Sequence, residues 1–293
     1  MPIVGIGASA GGVGALREFF AHLPTKEEAE ESGMAFVVVL HLSPNVESNL
    51  AEILQEETSL HVERAVDGTE VTGGTVYVIP PGRRLTIHGG RLRVEEATGP
   101  HDPSSVDRFF RSLASDQGEN AVGIVMSGSG SDGTLGLRAI KEAGGVTMVQ
   151  VPEEAEYEAM PESALATGLV DLSLPVETLA EKLVEYRDRA GVIQLPKSED
   201  ALEEDERSTL TKIFSELYQI TGLDFSNYKR STVLRRLERR LQLNGVATLE
   251  AYLERIRTDP SEVKALQKDL LISVTSFFRD PEAFEALDET VIP

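Results

Sequence analysis

The first 190 residues alternate short, almost wholly apolar runs with longer stretches in which apolar residues recur at helical spacing. Apolar runs without polar alternation are typical of strands buried on both faces of a parallel sheet. They predict strands at residues 3–6, 36–42, 76–79, 122–126, 146–151 and, more briefly, 169–172. The helical patterns between them lie at residues 13–22, 48–57, 105–114, 135–143 and 176–189. This alternation predicts an α/β domain with a mostly parallel, doubly wound sheet.

One stretch of the first domain has a different pattern. Within residues 84–95, two strand-like pieces meet at Gly89-Gly90, a pair typical of a two-residue hairpin turn. We expect an antiparallel hairpin at the edge of the parallel sheet.

A change of composition predicts a domain boundary near residue 190. The stretch PKSEDALEEDE within residues 191–206 is polar and acidic, which is typical of an exposed linker. From residue 207 to residue 293 the apolar residues recur only at helical spacing, so this part is expected to be a small all-α domain. The predicted organisation is therefore 1–190, a linker at 191–206, and 207–293.

Composition narrows the classes of function. The chain has no cysteine, which excludes a disulfide scaffold, a thiol nucleophile and cysteine-ligated zinc. It carries 28 basic and 49 acidic residues, a net charge of −21, and residues 1–190 account for −16 of it, which argues against nucleic-acid binding by that part. No apolar run approaches the roughly 18 residues that span a membrane, and no signal peptide is visible. A cytoplasmic protein without membrane insertion is expected.

The turn after the first strand carries candidate chemistry. Gly7-Ala8-Ser9-Ala10-Gly11 matches G-x-S-x-G, in which small residues permit a sharp strand-to-helix turn that exposes a serine hydroxyl. Backbone N–H groups at Ala10 and Gly11 would then be able to stabilise an oxyanion. A looser dinucleotide pattern also fits this turn, but the second strand ends in His41 where a dinucleotide site needs an acidic residue.

A second glycine-rich turn follows the strand at residues 122–126. Residues 128–133 read as G-x-G-x-x-G, with Glu153 at a suitable distance downstream, so nucleotide binding is a second interpretation of this turn. Asp132 argues against it, because a carboxylate inside a phosphate-binding loop repels the ligand.

Ser9, His41 and Asp132 each fall at or just after the end of a predicted parallel strand. Because the carboxyl ends of parallel strands share one edge of a sheet, the three side chains could converge as nucleophile, base and orienting carboxylate. Their order along the chain differs from that of α/β-hydrolases, which excludes that fold. The other histidines pair with no carboxylate at metal-ligand spacing, so no metal site is expected.

Six motifs together resemble the catalytic domain of the CheB family of chemotaxis protein-glutamate methylesterases. In chain order they are GIGASAGG, VLHLSP, GTVYVIPPG, PSSVDRFFRSLA, MSGSGSDGTLGLRAIKEAGG and AMPESALATGLV. The resemblance implies a Ser9–His41–Asp132 triad with no cofactor, and it places Met160 near the active site. The Ser129–Gly130 turn is a further candidate for the oxyanion and substrate loop.

The helical part resembles the N-terminal domain of the CheR family of receptor methyltransferases, through YKRSTVLRRLERRL, LEAYLERI and LLISVTSFFRDPEAF. This resemblance implies that Thr275 and Arg279 approach S-adenosylmethionine. It also implies a basic helix that docks on receptor glutamates, for which the candidates are Arg235, Arg236, Arg239 and Arg240. No glycine-rich nucleotide-binding pattern follows, so neither methyl transfer nor S-adenosylmethionine binding is expected from these residues alone.

The two resemblances together predict a fragment of a CheB/CheR fusion. It would hydrolyse glutamate methyl esters on methylated receptor helices, with glutamine deamidation as a side activity. The sequence leaves the oligomeric state undetermined. The alternative interpretation is a non-catalytic receptor-binding or regulatory module.

Overall fold

A seven-stranded parallel sheet forms the centre of the first domain. The computed structural model describes residues 1–23, 33–40, 49–97, 104–190, 192–196 and 198–272. The strands are β1 (Ile3–Ala8), β2 (Ala35–Leu40), β3 (His61–Arg64), β4 (Thr75–Val78), β5 (Arg83–His88), β6 (Arg91–Glu96), β7 (Ala121–Val125), β8 (Val146–Gln150) and β9 (Leu172–Leu174). The main sheet has the order β3-β4-β2-β1-β7-β8-β9, and β5 and β6 form a separate two-stranded sheet.

The helices of the first domain cover both faces of this sheet, as predicted. They are α1 (Gly12–Ala21), α2 (Leu50–Glu57), α3 (Ser105–Gln117), α4 (Thr134–Ala143), α5 (Ala159–Ala166) and α6 (Val176–Ala190). Helices α1, α2 and α6 share one apolar cluster with one set of strand side chains. Helices α3, α4 and α5 share a second cluster with the alternate set. The doubly wound α/β architecture expected from the apolar runs is confirmed.

Three glycines allow helices to pack directly on the central strands. A Cβ atom at Gly5 would lie 2.9 Å from a ring carbon of Phe110, and one at Gly7 would lie 2.2 Å from Cγ1 of Val106. A Cβ atom at Gly123 would lie 2.6 Å from Cδ1 of Ile140. Only residues without a side chain fit at this distance, so the strand that leads to Ser9 is shaped for close contact with α3.

The hairpin is confirmed, but its place differs from the expectation. Strands β5 and β6 pair antiparallel through Gly89-Gly90 and do not extend the edge of the main sheet. Their apolar side chains, Leu85 among them, join the cluster that contains α3, and Ile87 N–H donates to Ser112 Oγ at 3.0 Å. The hairpin therefore covers the outer side of α3, where its apolar face is buried.

Two elements of the first domain were not predicted from the sequence. Strand β3 carries the sequence HVER, and its half-exposed position at the sheet edge leaves no continuous apolar run to indicate a strand. Helix α5 lies in the AMPESALA segment, for which the apolar pattern predicts no helix.

The part of the second domain that the structure describes, up to residue 272, is helical, as predicted. It consists of α7 (Glu204–Thr221), α8 (Arg230–Asn244), α9 (Leu249–Thr258) and α10 (Pro260–Leu271) around a separate apolar core. Gly222 and Gly245 adopt left-handed φ values and end α7 and α8, while Pro260 begins α10.

The acidic connection between the domains is only partly the exposed linker that was expected. Ile193 and Leu202 are buried in the core of the helical domain. The backbone at Leu195 is also held, because its N–H donates to Glu238 of α8 at 2.7 Å. The apolar residues scattered among the acidic ones fix this connection to the second domain. Across the ranges that the structure describes, no helix is both long and apolar enough to cross a membrane.

Candidate functional site

Ser9 lies in the turn between β1 and α1, where the sequence predicted it. Its N–H donates to Ser127 O at 3.0 Å, and its own carbonyl accepts from Gly12 N–H at 3.0 Å. Gly11 has a φ of 70°, and a Cβ atom there would lie 2.6 Å from Ser127 Oγ. Both the left-handed conformation and the lack of space therefore require glycine at position 11, two residues after the serine.

The turn presents hydrogen-bond donors beside the serine. Within the described part of the chain, the N–H groups of Ala10 and Gly11 have no hydrogen-bond partner, and Ser9 Oγ has none either. No side chain caps α1, whose N-terminus carries partial positive charge. Donors of this kind can stabilise an anion that develops on a group attached to Ser9.

The second glycine-rich loop holds the serine turn from the other side. Ser127 Oγ donates to Ala10 O at 2.9 Å and accepts from Tyr157 N–H at 3.0 Å. The backbone N–H of Ser127 donates to Gln150 Oε1 at 2.9 Å. Ser127 thus links the turn at Ser9 to the segment before α5. Sequence reasoning missed this role, since Ser127 stood in the motif only as the residue before its first glycine.

Met160 supports the loop from below. It is completely buried, and a Cβ atom at Gly128 would lie 2.1 Å from Met160 Sδ and 3.0 Å from Ser9 Cβ. Met160 N–H also donates to Gly128 O at 3.0 Å. The side chain of Met160 thus packs against Gly128, on the side of the loop where Ser9 lies. Ser129 and Gly130, by contrast, are exposed at the tip of the loop.

Asp132 is buried in the same loop and accepts three backbone hydrogen bonds. They come from Val106 N–H at 3.0 Å, Asp107 N–H at 2.9 Å and Gly133 N–H at 2.9 Å. Its carboxylate therefore sits at the N-terminus of α3. An incoming phosphate would have to displace it from these amides, which disfavours nucleotide binding at this turn.

Asp107 continues the polar chain behind Asp132. It accepts from Gly136 N–H at 2.7 Å. Burial raises the pKa of Asp107, and the nearby Asp132 carboxylate adds to that effect. This second carboxyl group joins α3 to α4 beneath the candidate site.

The sheet brings Ser9 and Asp132 to one edge, because β1 pairs with β7 and both residues follow the carboxyl ends of these strands. His41 lies outside the described residues, so the complete triad stays a prediction. Thr275 and Arg279 also lie outside them, so their contact with S-adenosylmethionine stays a prediction too. No group of three potential metal ligands occurs among the residues that the structure describes.

The four arginines of α8 do not form the exposed face that was expected. Arg235 is half exposed and pairs with Glu119 at 2.8 Å. Arg236, Arg239 and Arg240 are only 3%, 5% and 6% exposed and contact the first domain or α10. The prediction of a docking face is therefore wrong for these three residues, because helical spacing shows which residues share a face but not what covers it.

The parallel sheet, the serine turn and the aspartate loop at one edge define an α/β protein with a hydrolase-type serine turn. The chain belongs to the CheB methylesterase family, whose model matches residues 4–183. Residues 208–271 match the model described as the all-alpha domain of CheR methyltransferase. Both resemblances inferred from the motifs are thereby confirmed.

Several known proteins are similar to this chain. An uncharacterized 104.1 kDa protein of Rhodobacter capsulatus is 35% identical over an alignment of 262 residues, and the match covers 83% of this chain and 28% of that protein. A protein-glutamate methylesterase/protein-glutamine glutaminase of Rhizobium johnstonii is 37% identical over an alignment of 188 residues, and the match covers 62% of this chain and 50% of the relative. The crystal structure of the Thermotoga maritima CheB methylesterase catalytic domain is 29% identical with a TM-score of 0.56, covering 63% of this chain and 97% of that one. The chain thus spans about half the length of the methylesterase relatives.

Proposed function

We propose that the first domain hydrolyses γ-methyl esters of glutamate side chains in receptor-like proteins, releasing methanol and restoring the carboxylate. The observation that carries the proposal is the serine turn, in which Ser9 lies beside the N–H groups of Ala10 and Gly11 that have no hydrogen-bond partner among the described residues. Membership of the CheB methylesterase family supports it independently.

The proposed reaction has two halves. Ser9 Oγ attacks the ester carbonyl while His41 accepts the hydroxyl proton, and the carbonyl oxygen becomes an oxyanion. The N–H groups of Ala10 and Gly11 then stabilise that oxyanion, an effect of roughly 3–4 kcal/mol for a well-placed donor. The intermediate collapses with loss of methanol, which takes its proton from His41. Water activated by His41 then hydrolyses the glutamyl ester of Ser9.

Asp132 is proposed to orient His41 and to stabilise its cation. The three backbone hydrogen bonds from Val106, Asp107 and Gly133 hold the carboxylate in one orientation. A carboxylate can accept about four hydrogen bonds, so these three are compatible with a further one from an imidazole.

The same chemistry extends to glutamine side chains, with ammonia as the leaving group in place of methanol. The methylesterase relatives carry both activities in their names, which supports deamidation as a second activity of this site. The proposed partners are methylated receptor helices, and the predicted compartment is the cytoplasm. The helical domain is proposed to contribute no methyl transfer through the residues of this chain.

Methanol release from a methylated receptor fragment tests the proposal. Ser9→Ala is expected to abolish release, whereas Ser173→Ala, which changes an exposed serine on β9, is expected to leave it unchanged. Release that survives in Ser9→Ala would contradict the role of Ser9. Binding of the fragment without release by the unaltered chain would favour the non-catalytic receptor-binding module.

A further inference from the structure

Helix α8 packs against the edge of the first domain that lies opposite Ser9. Arg236 donates from Nη1 to Lys141 O and from Nη2 to Glu142 O, both at 3.4 Å, at the end of α4 just before β8 begins. Arg235 pairs with Glu119, which precedes β7. Because the strands are parallel, their starts share one edge, and Ser9 follows the end of β1 at the other edge.

Asp171 of the first domain is the main acceptor for this helix. It lies just before β9 with a fully buried side chain, and it accepts from both N–H and Oγ1 of Thr147 at 2.9 Å. Lys141 Nζ contacts its Oδ1 at 2.5 Å. From α8, Arg239 donates to Oδ2 of Asp171, and Arg240 lies 3.6 Å from Oδ1.

The second domain provides an acceptor in return. Asp269 of α10 contacts Lys141 Nζ at 2.5 Å and Arg239 Nη1 at 3.0 Å. Each domain therefore offers a cation and an anion to the other. Glu262 completes the group, since it accepts from Arg240 Nε at 2.7 Å and from the Tyr252 hydroxyl at 2.6 Å.

The charges of this group balance, and its side chains are shielded from solvent. Three cations (Lys141, Arg239 and Arg240) face three anions (Asp171, Asp269 and Glu262), and no side chain among them is more than 7% exposed. Burial alone would raise the pKa of Asp171, but the neighbouring cations hold it well below its usual range. Burial lowers the pKa of Lys141, and the positive charge of Arg239 lowers it further. A balanced buried group of this kind is disrupted when any one member is removed, because a partner is left unpaired.

We propose that the arginine face of α8 is an interdomain clamp whose partner is the Lys141–Asp171 corner of the first domain. We define the clamp as Lys141, Asp171, Arg239, Arg240, Glu262 and Asp269. It fixes the helical domain to the sheet edge opposite Ser9 and closes this face to acidic helices of another protein. An acidic helix that bound there would have to displace Asp171 and Asp269 from the guanidinium groups they already occupy.

The connection between the domains supports the same arrangement. Gln242 of α8 donates to Ile193 O at 2.9 Å, so the segment that leaves α6 is fastened to the clamp helix itself. Arg230 also pairs with Glu199 at 2.8 Å. The described part of the connection thus lies along α8, and the clamp joins that helix to the remainder of the first domain.

Chemical labelling of arginines in the full chain tests the clamp. Phenylglyoxal with peptide mass mapping is expected to modify exposed Arg257 at least tenfold faster than Arg239 and Arg240. Asp171→Asn is expected to speed labelling of Arg239 and Arg240 at least fivefold. Asp188→Asn, which removes an exposed carboxylate paired with its neighbour Arg187, is expected to have no effect. Labelling of Arg239 and Arg240 at the rate of Arg257 in the unaltered chain would overturn the proposal.

A second variant and a binding assay guard against misfolding. Asp269→Asn removes the acceptor that the helical domain provides for Lys141 and Arg239, and it is expected to expose Arg239 and Arg240. Circular dichroism of this variant checks that the helices persist. A helical peptide with glutamates four residues apart serves as the acidic probe. It is expected to bind Asp269→Asn at least fivefold more tightly than the unaltered chain or Asp188→Asn, and equal affinity for all three would contradict the closed face. Neither arginine labelling nor peptide binding involves ester hydrolysis, so a failure of the clamp proposal can be distinguished from a failure of the proposed function.

Discussion

Replacing Gly7 with alanine is expected to disturb the candidate site through a single steric contact. The added Cβ atom would lie 2.2 Å from Cγ1 of Val106 and 3.1 Å from its Cγ2. Ordinary carbon–carbon contacts are about 3.5–4.0 Å, so α3 must move away from the sheet or the strand must bend. Val106 is β-branched and completely buried, so it has little freedom to rotate aside.

We expect Gly7→Ala to cost about 1–3 kcal/mol of the free energy of unfolding, the usual range for overpacking. It should also lower the rate of ester hydrolysis, because Val106 N–H is one of the donors that hold Asp132. Val106→Ala removes both clashing methyl groups and by itself costs about 1–3 kcal/mol through the cavity it leaves. In the double variant the cavity receives the new methyl group, so its loss should be smaller than the sum by about 0.5–3 kcal/mol.

Urea denaturation followed by circular dichroism measures these differences, with methanol release as the second readout. Gly14→Ala is the matched control, because a Cβ atom at Gly14 meets nothing within 4 Å. That change lies in α1 and should raise stability by about 0.5–1 kcal/mol. A Gly7→Ala variant as stable as Gly14→Ala, or a double variant whose loss equals the sum of the single losses, would refute the steric reasoning.

Three further predictions concern the loop, the charge beside the serine and pH. Ser127→Ala removes two hydrogen bonds of about 1 kcal/mol each and should lower kcat about tenfold in the methanol assay, whereas the exposed Ser131→Ala should not. Glu156 Oε2 would lie 3.0 Å from a Cβ atom at Gly11, so Glu156→Gln removes a negative charge near the oxyanion donors. The value of kcat/KM should therefore rise roughly threefold at low salt. An unchanged kcat/KM in Glu156→Gln, or an equal rise in the control Glu158→Gln, would contradict this. Burial alone would raise the pKa of Asp171, but the clamp cations lower it. The ionised Asp171 carboxylate therefore stabilises the fold at every pH above its unfolded pKa of about 3.9, and this stabilisation is lost only as the pH falls below that value. Thermal unfolding should therefore show joint melting of both domains from about pH 5 to 8, and separation of the two transitions in that range would be inconsistent with this assignment.

The sequence predicted the elements whose signal is local. The apolar runs that became β1, β2, β7 and β8 are buried on both faces, so their composition was sufficient to identify them. The turn at Ser9 was also predictable, because a sharp strand-to-helix turn needs small residues at fixed positions. Strand β3 was not, because its polar residues form a sheet edge that only the pairing with β4 defines.

Contacts between distant residues account for what the sequence could not show. Arg239 meets Asp171 and Asp269, which lie 68 and 30 residues away along the chain. Helical spacing placed Arg239 on a basic face but carried no information on these partners. Ser127 is a similar case, since its hydroxyl acts by joining Ala10 to Tyr157, residues on two other segments.

Covalent labelling of Ser9 tests the central claim most directly. A fluorophosphonate probe reacts with a serine whose hydroxyl is activated by a base and whose oxyanion is stabilised, and mass spectrometry identifies the modified residue. The account predicts one adduct on Ser9, at least a hundredfold slower labelling in His41→Gln and slower labelling in Asp132→Asn. Absence of an adduct on Ser9 in the folded chain, or labelling that is as fast in His41→Gln, would contradict an activated serine at this turn.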